Sequence, residues 1–569
     1  MRIVIVFAVP AAVCLVALLW LHSRTRYLAE ARIPSLPDLT GKPESLRTAI
    51  EKADRQARLD PFSDERVGRL GLLYHANHFY EPADRCYKLA GELNPHARDW
   101  PYDLACLRQT SGISKGVESL LRKVLELAPD DGPARLRLAD TLWKQNDLDG
   151  ALHEYEECLK LQPDNAYALF GLARVAQSQN EWESAQSYLR QTLAVDRMFG
   201  PAHHLFAAIH DKLGQAEQAN ASRARAGACP RYQAAPEPLL DKLDDLCYDP
   251  IYLLVRADMA RQTFNTPRGL ALLRRAVEVA PDNAAAHAGL GAALRELNEP
   301  VSARHHLARA IELDPGNLDA GIGMGLLLGS LGDLPGAERF LAEGLKYNPD
   351  ETSLLYGVGK IARARGDDAR ATVYFRKAAE HSDLRFDDAI EGHVSCLMRT
   401  GKPDEAVSFL ERTLALRPSA SRPRILLARV WLNQGEKARA ITSLRTGLGS
   451  APYQAELADA LAGLLVADPD AQPETIREGV ELAARAVDFA TSAHLPQYLD
   501  TLATAYARAG DFGKAVSTQE EAVHRAQERN DAQLEAFRQH LAAFQSGRPV
   551  LQPSRQESAT TTTRASTSR

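Results

Sequence analysis

Apolar residues recur along most of this chain at steps of three and four positions, which places them on one stripe of a helix. The stretch 132–163 shows the pattern most clearly. Its apolar runs at 136–142 and 151–159 are separated by a polar break, so the stretch predicts two short helices. Pro163 ends the second helix, because proline disfavours helical geometry in the residue before it. Helices this short cannot bury their stripes alone, so the pattern predicts packing against neighbouring copies.

The copies are marked by prolines that stand 34 residues apart. These prolines are Pro61, Pro95, Pro129 and Pro163 in the first half of the chain and Pro281, Pro315 and Pro349 further on. A repeat of this kind grows into an array by stacking, in which each copy contacts its neighbours. The sequence therefore predicts an all-α protein built from repeated helix pairs.

The repeat resembles the tetratricopeptide repeat, whose 34-residue pattern runs from a leucine and a glycine through an alanine to a final proline. The matching residues are Leu70, Gly71, Tyr74, Ala83, Tyr87, Ala90 and Pro95 in one copy, and Leu290, Gly291, Leu294, Ala303, Leu307, Ala310 and Pro315 in another. No copy carries the family's first tryptophan. The resemblance, which is to the bacterial type, implies a right-handed α-solenoid of antiparallel helix pairs. Most of the matching residues then serve packing and carry no chemistry.

Departures from the repeat divide the chain into segments. The predicted segments are a transmembrane anchor (1–26), a linker (27–43), a first array with an N-terminal capping helix (44–227), an inter-array loop or hinge (228–249), a second array with a terminal helix (250–545) and a disordered tail (546–569). The inter-array segment contains three prolines and no repeat signature, so it is predicted to be irregular.

Residues 3–21 are uncharged and overwhelmingly apolar, and they are just long enough to cross a bilayer as a helix. A cleaved signal peptide is the alternative, although its apolar region is usually shorter and here Arg24 and Arg26 follow at once. The small-residue pattern of 29–31 comes late for such a cleavage site. Basic residues flank the segment on both sides, so charge does not decide its orientation. We therefore assume the commoner arrangement for a single anchor, in which the large C-terminal part is exported. It predicts a single-pass membrane protein whose repeats lie on the extracytoplasmic, periplasmic side.

Composition and motifs exclude several function classes. An apolar content of 45% and a charged content of 25% are typical of a folded chain, and the net charge of -6 argues against nucleic-acid binding. The cysteines and histidines show no metal-ligand spacing, and no catalytic or nucleotide-binding motif occurs in a usable context. The glycine-rich run 321–325 opens a repeat helix and follows no strand, so it predicts close packing. We expect no catalytic residue, no metal and no cofactor, and hence no enzyme.

In tetratricopeptide arrays the first helix of each pair lines a concave groove that binds peptides, so the resemblance implies such grooves here. The predicted peptide-binding groove of the first array holds Tyr102, Asp140, Trp143, Tyr167, Phe170, Arg174 and His204. Its aromatic side chains suit hot-spot contacts to a partner. The predicted basic groove of the second array holds Arg261, Arg295, Tyr356, Lys360, Arg363, Arg399 and Arg429. It favours an acidic peptide segment or an anionic polymer. The alternative is that these positive charges are simply solvated and bind no partner.

Cys229 and Cys247 bracket the irregular segment between the arrays. In an exported chain, a disulfide between them would close that segment and stabilise the joint. Two unpaired thiols are the alternative.

These observations predict a membrane-anchored scaffold that binds partner proteins or peptide segments in its grooves and organises a cell-envelope complex. The alternative is a repeat subunit that regulates a machinery for envelope polysaccharide synthesis or export, or presents polymer to it. A neighbouring synthase or secretion gene would favour the alternative.

Overall fold

The computed structural model describes residues 24–229, 235, 237–262, 266–491, 493–529 and 531–551. In those residues all regular secondary structure is helical, which confirms the predicted all-α solenoid. The helices are α1 (Glu44–Leu59), α2 (Asp64–Ala76), α3 (Tyr80–Leu93), α4 (Asp99–Thr110), α5 (Val117–Leu127), α6 (Gly132–Lys144), α7 (Leu148–Leu161), α8 (Ala166–Ser178), α9 (Trp182–Val195), α10 (Gly200–Lys212), α11 (Ala216–Ala228), α12 (Pro238–Leu246), α13 (Pro250–Gln262), α14 (Thr266–Val279), α15 (Ala284–Glu296), α16 (Pro300–Leu313), α17 (Leu318–Ser330), α18 (Leu334–Tyr347), α19 (Thr352–Ala364), α20 (Asp368–His381), α21 (Asp387–Arg399), α22 (Pro403–Leu416), α23 (Ser421–Asn433), α24 (Lys437–Ser450), α25 (Ala455–Val466), α26 (Pro473–Asp488), α27 (Leu495–Arg508), α28 (Phe512–Glu528) and α29 (Leu534–Gln545). Residues 24–30 are helical as well.

The short link between successive pairs supplies the cap of the next helix. Asn165 follows Pro163 by two residues, and its side chain accepts the backbone N–H of Ala168 at 3.0 Å at the start of α8. Asn283 and Asn317 cap α15 and α17 in the same way. An asparagine at this position satisfies one of the backbone donors that a helix start leaves open. The proline that ends one copy is therefore followed, two residues later, by the asparagine that caps the first helix of the next copy.

Close approach of neighbouring helices depends on glycine at particular positions. A Cβ on Gly171 of α8 would lie 2.3 Å from the ring of Tyr155 on α7, a side chain that is fully buried. We therefore expect Gly171→Ala to lower the free energy of unfolding by about 1–3 kcal/mol, because the core around the ring is already full. Thermal unfolding of the full chain, followed by circular dichroism, measures the change.

Gly321 on α17 is the matched control for that substitution. A Cβ there has no neighbour within 4 Å. Gly321→Ala is expected to leave the melting temperature unchanged or to raise it slightly, because alanine favours helix more than glycine does. Equal melting temperatures for the two variants would show that glycine packing does not determine the helix spacing.

The chain divides into two compact units. Unit 1 comprises 1–202 and 231–315, and unit 2 comprises 203–230 and 316–569. The units do not coincide with the predicted arrays, because α13 to α16 of the predicted second array fall in unit 1 and α11 of the predicted first array falls in unit 2.

The predicted linker is packed against the capping helix α1. Ile33 is buried in the core of unit 1. The Nη2 atom of Arg58 on α1 donates to the carbonyl of Pro34 at 2.8 Å. This part of the linker is therefore attached to the array.

The predicted anchor at 3–21 and the predicted tail from 552 onward lie outside the described residues. Within the part of the chain that the structure does describe, no helix is both long and apolar enough to cross a membrane. The transmembrane helix stays a prediction from the sequence.

Where the sequence predicts an irregular joint, the structure has helix α12. Glu237 caps this helix by accepting the backbone N–H of Leu239 at 3.1 Å. Pro238 occupies the first helical position, where the missing N–H costs nothing. The proline that suggests a loop in the sequence therefore begins a helix, and that helix belongs to unit 1.

Candidate protein-binding surfaces

Part of the concave groove predicted for the first array is occupied by the chain itself. Helix α12 lies against α2, α4 and α6, each of which is the first helix of its pair. We call the surface that these three helices form the first groove. Leu239 and Leu243 of α12 are buried in one apolar cluster with Tyr102 and Leu136. Tyr102, which the sequence predicts as a contact to a partner, is therefore covered by α12.

The N-terminal end of α12 inserts a carboxylate into a polar part of the first groove. The hydroxyl of Tyr102 donates to both carboxylate oxygens of Glu237, at 2.8 and 2.9 Å. Arg137 donates to the same carboxylate through Nε at 2.6 Å and through Nη2. The Nη1 atom of Arg137 also donates to Gln109 at 2.5 Å, which orients the guanidinium. Burial raises the pKa of Tyr102, so its hydroxyl keeps its proton at neutral pH.

The C-terminal end of α12 is held through its backbone. Asn77 is buried at the end of α2. Its Nδ2 atom donates to the carbonyl of Leu246 at 3.0 Å, and its Oδ1 atom accepts the N–H of Tyr248 at 2.9 Å. A side-chain amide that pairs with backbone in this way recognises the course of a peptide and not its side chains.

Four residues of the predicted peptide-binding groove form one connected group. The guanidinium carbon of Arg174 lies 4.3 Å from the ring centroid of Trp143 and 5.4 Å from that of Phe170. The Nη2 atom of Arg174 also forms an ion pair with Asp140. All four side chains are half-buried. Contacts of this kind fix the arginine and the rings in place.

The remaining predicted residues are distributed differently from the prediction. Tyr167 packs edge-on against a neighbouring phenylalanine ring at 5.4 Å, whereas His204 is exposed and belongs to unit 2. Arg261 and Arg295, predicted for the basic groove, belong to unit 1. Both lie within 4.0 Å of Glu296. Neither predicted set is therefore confined to one unit.

Three of the predicted groove residues in unit 2 belong to an aromatic cluster. The ring of Tyr356 lies 4.9 Å from that of Phe386 and 5.5 Å from that of Phe375. The ammonium of Lys360 lies 5.8 Å from the centroid of Tyr356, and the guanidinium of Arg363 lies 5.5 Å from that of Phe375. These cations are therefore placed over aromatic rings.

The last two predicted cations of unit 2 lie near carboxylates. The Nε atom of Arg399 is 3.2 Å from Asp368, and the Nη1 atom of Arg429 is 4.0 Å from Glu391. These pairings offset the positive charge that the sequence predicts. The surface is mixed in charge and not basic.

A cavity of about 570 Å³ lies along the first helices α21, α23, α25 and α27 of unit 2, and we call it the unit 2 cavity. Arginine and glutamate side chains face it from several helices, among them Arg422, Arg429, Glu391 and Glu456. The Nη2 atom of Arg422 donates to Glu391 at 2.7 Å, and this bond raises the pKa of the arginine. The cavity therefore offers both signs of charge to a ligand.

Helix α27 supplies a tyrosine and an amide to the unit 2 cavity. Burial raises the pKa of Tyr498, so the phenol stays protonated. Gln497 donates through Nε2 to Asp531 at 3.1 Å. Its Oε1 atom is buried and accepts no hydrogen bond from any described residue. An unpaired buried oxygen of this kind is costly.

Neither a metal centre nor a disulfide emerges from the described residues. No group of three or more metal-ligating side chains occurs among them. Cys229 and Cys247 are present as thiols, which donate to the carbonyls of Arg225 and Asp249 at 3.2 and 3.8 Å. The disulfide stays a prediction for the oxidised chain.

Sequence reasoning missed the residues that hold α12 in the first groove. They are Asn77, Arg137, Glu237, Leu239 and Leu243. The leucine spacing within 239–246 is a helical signal that can be read from the sequence, but nothing local marks Asn77 or Arg137 as groove residues.

The helix pairs, their caps and their 34-residue period define an all-α helical-repeat protein of the solenoid class. One model of the tetratricopeptide repeat matches residues 142–209, 294–361 and 397–464, and a second model of the same repeat matches 254–317. These segments are similar to the tetratricopeptide repeat over somewhat less than half of the chain. No curated protein sequence matches the chain.

Three solved structures match parts of this chain at low identity. Yeast Tom70 is 17% identical over 85% of this chain and 95% of its own, with a TM-score of 0.41. Pseudomonas aeruginosa pilF is 18% identical over 37% of this chain and 94% of its own, with a TM-score of 0.30. Cut9–Hcn1, from an APC/C hetero-tetramer, is 16% identical over 89% of this chain and 97% of its own, with a TM-score of 0.29.

Proposed function

We propose that this protein is a membrane-anchored, non-catalytic scaffold that binds partner proteins and organises a cell-envelope complex. The tetratricopeptide repeats support a role in protein–protein interaction. The unit 2 cavity is the observation that carries the proposal, because it brings arginine, carboxylate and amide groups together along successive first helices. Such a surface is complementary to a peptide segment that carries both signs of charge.

The pairing of charges supports a protein partner over an anionic polymer. A polymer of one sign is held best by a row of uncompensated cations. In unit 2, Arg422 donates to Glu391 and Arg399 lies beside Asp368. The field along this surface is therefore mixed, and recognition depends on matched local pairs.

The membrane part of the proposal depends on the apolar segment 3–21. Its orientation, with the repeats in the periplasm of a bacterial cell, follows the commoner arrangement for a single N-terminal anchor. A scaffold held in this way presents its repeats to other envelope proteins at high local concentration.

Site-specific photocrosslinking in intact cells tests the proposal. A photoreactive amino acid in place of Arg429, which lines the unit 2 cavity, is expected to give one discrete protein adduct in the membrane fraction. The same residue in place of Thr446, an exposed position of α24 away from the cavity lining, is expected to give none. Mass spectrometry then identifies the captured protein.

A charge reversal in the cavity tests whether the adduct reflects specific binding. Arg422→Glu is expected to reduce the yield of the adduct roughly tenfold, because it places a third carboxylate beside Glu391 and Glu456. The matched control is Arg445→Glu, because Arg445 is a surface arginine paired with Glu478 and is not part of the cavity lining. Equal loss in both variants, or adducts of equal yield from positions 429 and 446, would contradict a partner site in the cavity.

A further inference from the structure

The first groove contacts α12 through three kinds of interaction, and each suits a ligand helix. A paired tyrosine and arginine bind one carboxylate, an apolar surface takes two leucines four positions apart, and an amide binds the backbone at the end of the helix. All three contact one continuous segment that runs from Glu237 to Tyr248. The first groove therefore holds this short segment of the chain in its helical form.

A second side of α12 is held by charge. Asp244 is fully buried, and its Oδ2 atom lies 3.1 Å from Arg256 and 2.9 Å from Arg268. A buried carboxylate that loses both arginines must return to water, which costs little because water solvates it well. The contacts of this side therefore favour the docked position without preventing release.

Specificity in the first groove comes from its buried polar groups. Tyr102 and Arg137 are oriented towards one carboxylate, and without it they would be left with unpaired donors beneath an apolar helix. A helix that lacks the carboxylate is therefore disfavoured even if its leucines fit. The leucines add affinity through the area that they bury.

We propose that the first groove binds an amphipathic helix of a partner protein that has a glutamate at its N-cap and leucines two and six positions later, and that α12 is the internal competitor for this site. The chain thus contains both the site and a copy of the motif that the site recognises. An internal ligand acts at an effective concentration in the millimolar range, so a partner helix must bind more tightly than α12 or be held nearby. This inference concerns unit 1 and is independent of the unit 2 cavity.

A labelled peptide tests the proposal with the full-length protein. The probe is a fluorescent peptide of residues 235–248 with serine at the position of Cys247, and binding is measured by fluorescence anisotropy. The released variant is Leu239→Ala with Leu243→Ala, which weakens α12 without changing the surface of the groove. We expect the released variant to bind the probe at least roughly tenfold more tightly than the wild type does.

Two controls separate recognition from loose association. Arg137→Gln in the released variant is expected to reduce affinity for the probe roughly tenfold, whereas Arg122→Gln, which removes an exposed arginine paired with Glu118, is expected to have no effect. A probe with Glu237→Gln is expected to bind as weakly to the released variant as the wild-type probe binds to the variant with Arg137→Gln. Equal binding of the two probes would overturn the proposal.

A measurement on the unmodified protein covers the case in which the released variant misfolds. Hydrogen exchange of the wild type is followed with and without excess probe. If the probe displaces α12, the amides of 239–246 lose protection while those of α4 and α6 keep it. Unchanged protection of 239–246 at saturating probe, together with failure of the folded released variant to bind, would also overturn the proposal.

Discussion

Replacing His540 with alanine is expected to lower the free energy of unfolding at the C-terminal end of unit 2 by about 2–4 kcal/mol. The Nδ1 atom of His540 lies 2.7 Å from Oδ1 of Asp500, a carboxylate that is fully buried on α27. Gln519 donates to the same oxygen at 2.8 Å. The imidazole therefore links α29 to α27 by a hydrogen bond, while Phe537 and Phe544 of α29 supply the apolar contact. Without the imidazole, the buried carboxylate of Asp500 loses one of its hydrogen bonds.

Thermal unfolding and hydrogen exchange of α29 measure this effect. His524→Ala is the matched control, because that histidine is largely exposed and lies 3.7 Å from Glu528 on its own helix. The control is expected to change stability by less than about 0.5 kcal/mol. Similar losses in the two variants, or unchanged protection of α29 in His540→Ala, would show that the apolar contact alone holds the terminal helix.

The repeat register could be predicted from the sequence because its determinants are local. Pro163 and Asn165 set the end of one helix and the start of the next within three residues. Gly171 and Tyr155 contact each other across neighbouring helices, and their roles follow from position in the repeat. Signals of this range need no knowledge of the rest of the chain.

The role of α12 could not be predicted, because its partners lie far away along the chain. The hydrogen bond from Asn77 to Leu246 joins residues 169 positions apart. The leucines of α12 indicate a helix with one apolar face, but they do not indicate which surface covers that face. Counting by register places Tyr102 in the first groove, and only the fold shows that the first groove is filled.

Charge pairing between repeats explains why the predicted basic groove is mixed in charge. Arg399 pairs with Asp368, and Arg429 lies near Glu391 on the preceding first helix. Each pair joins side chains roughly one repeat apart, which become neighbours only when the copies stack. The sequence places the arginines on the correct helices but not their partners.

A second large effect is expected at Asp103 on α4. Its side chain is 2% exposed, and its Oδ2 atom is buried without a hydrogen bond from any described residue. Burial raises the pKa of Asp103 to about 7. Lys242 and Arg98 act against this rise, whereas Asp99 and Glu237 add to it. The folded protein therefore holds this carboxyl group in its neutral form more readily than the unfolded chain does.

The sign of the pH dependence follows from that difference. The ordinary pKa of an aspartate is 3.8, so the folded state retains the proton of Asp103 over the range from about 4 to about 7. Stability contributed by this residue falls as the pH rises through that range and stays low above it. Asp103→Asn removes the charge and is expected to stabilise unit 1 by about 1–3 kcal/mol at pH 8, with a smaller gain at pH 5.5.

Melting temperatures of the wild type and of Asp103→Asn at the two pH values measure this prediction. Asp130→Asn, at an exposed position, is expected to give no gain at either pH. Equal gains for Asp103→Asn at both pH values would mean that the amide improves packing and that charge has no part in the effect.

Two of the charges that act on Asp103, those of Glu237 and Lys242, belong to the α12 segment. The released variant is therefore expected to show a smaller gain at pH 8, because leaving the first groove lets water reach the carboxylate.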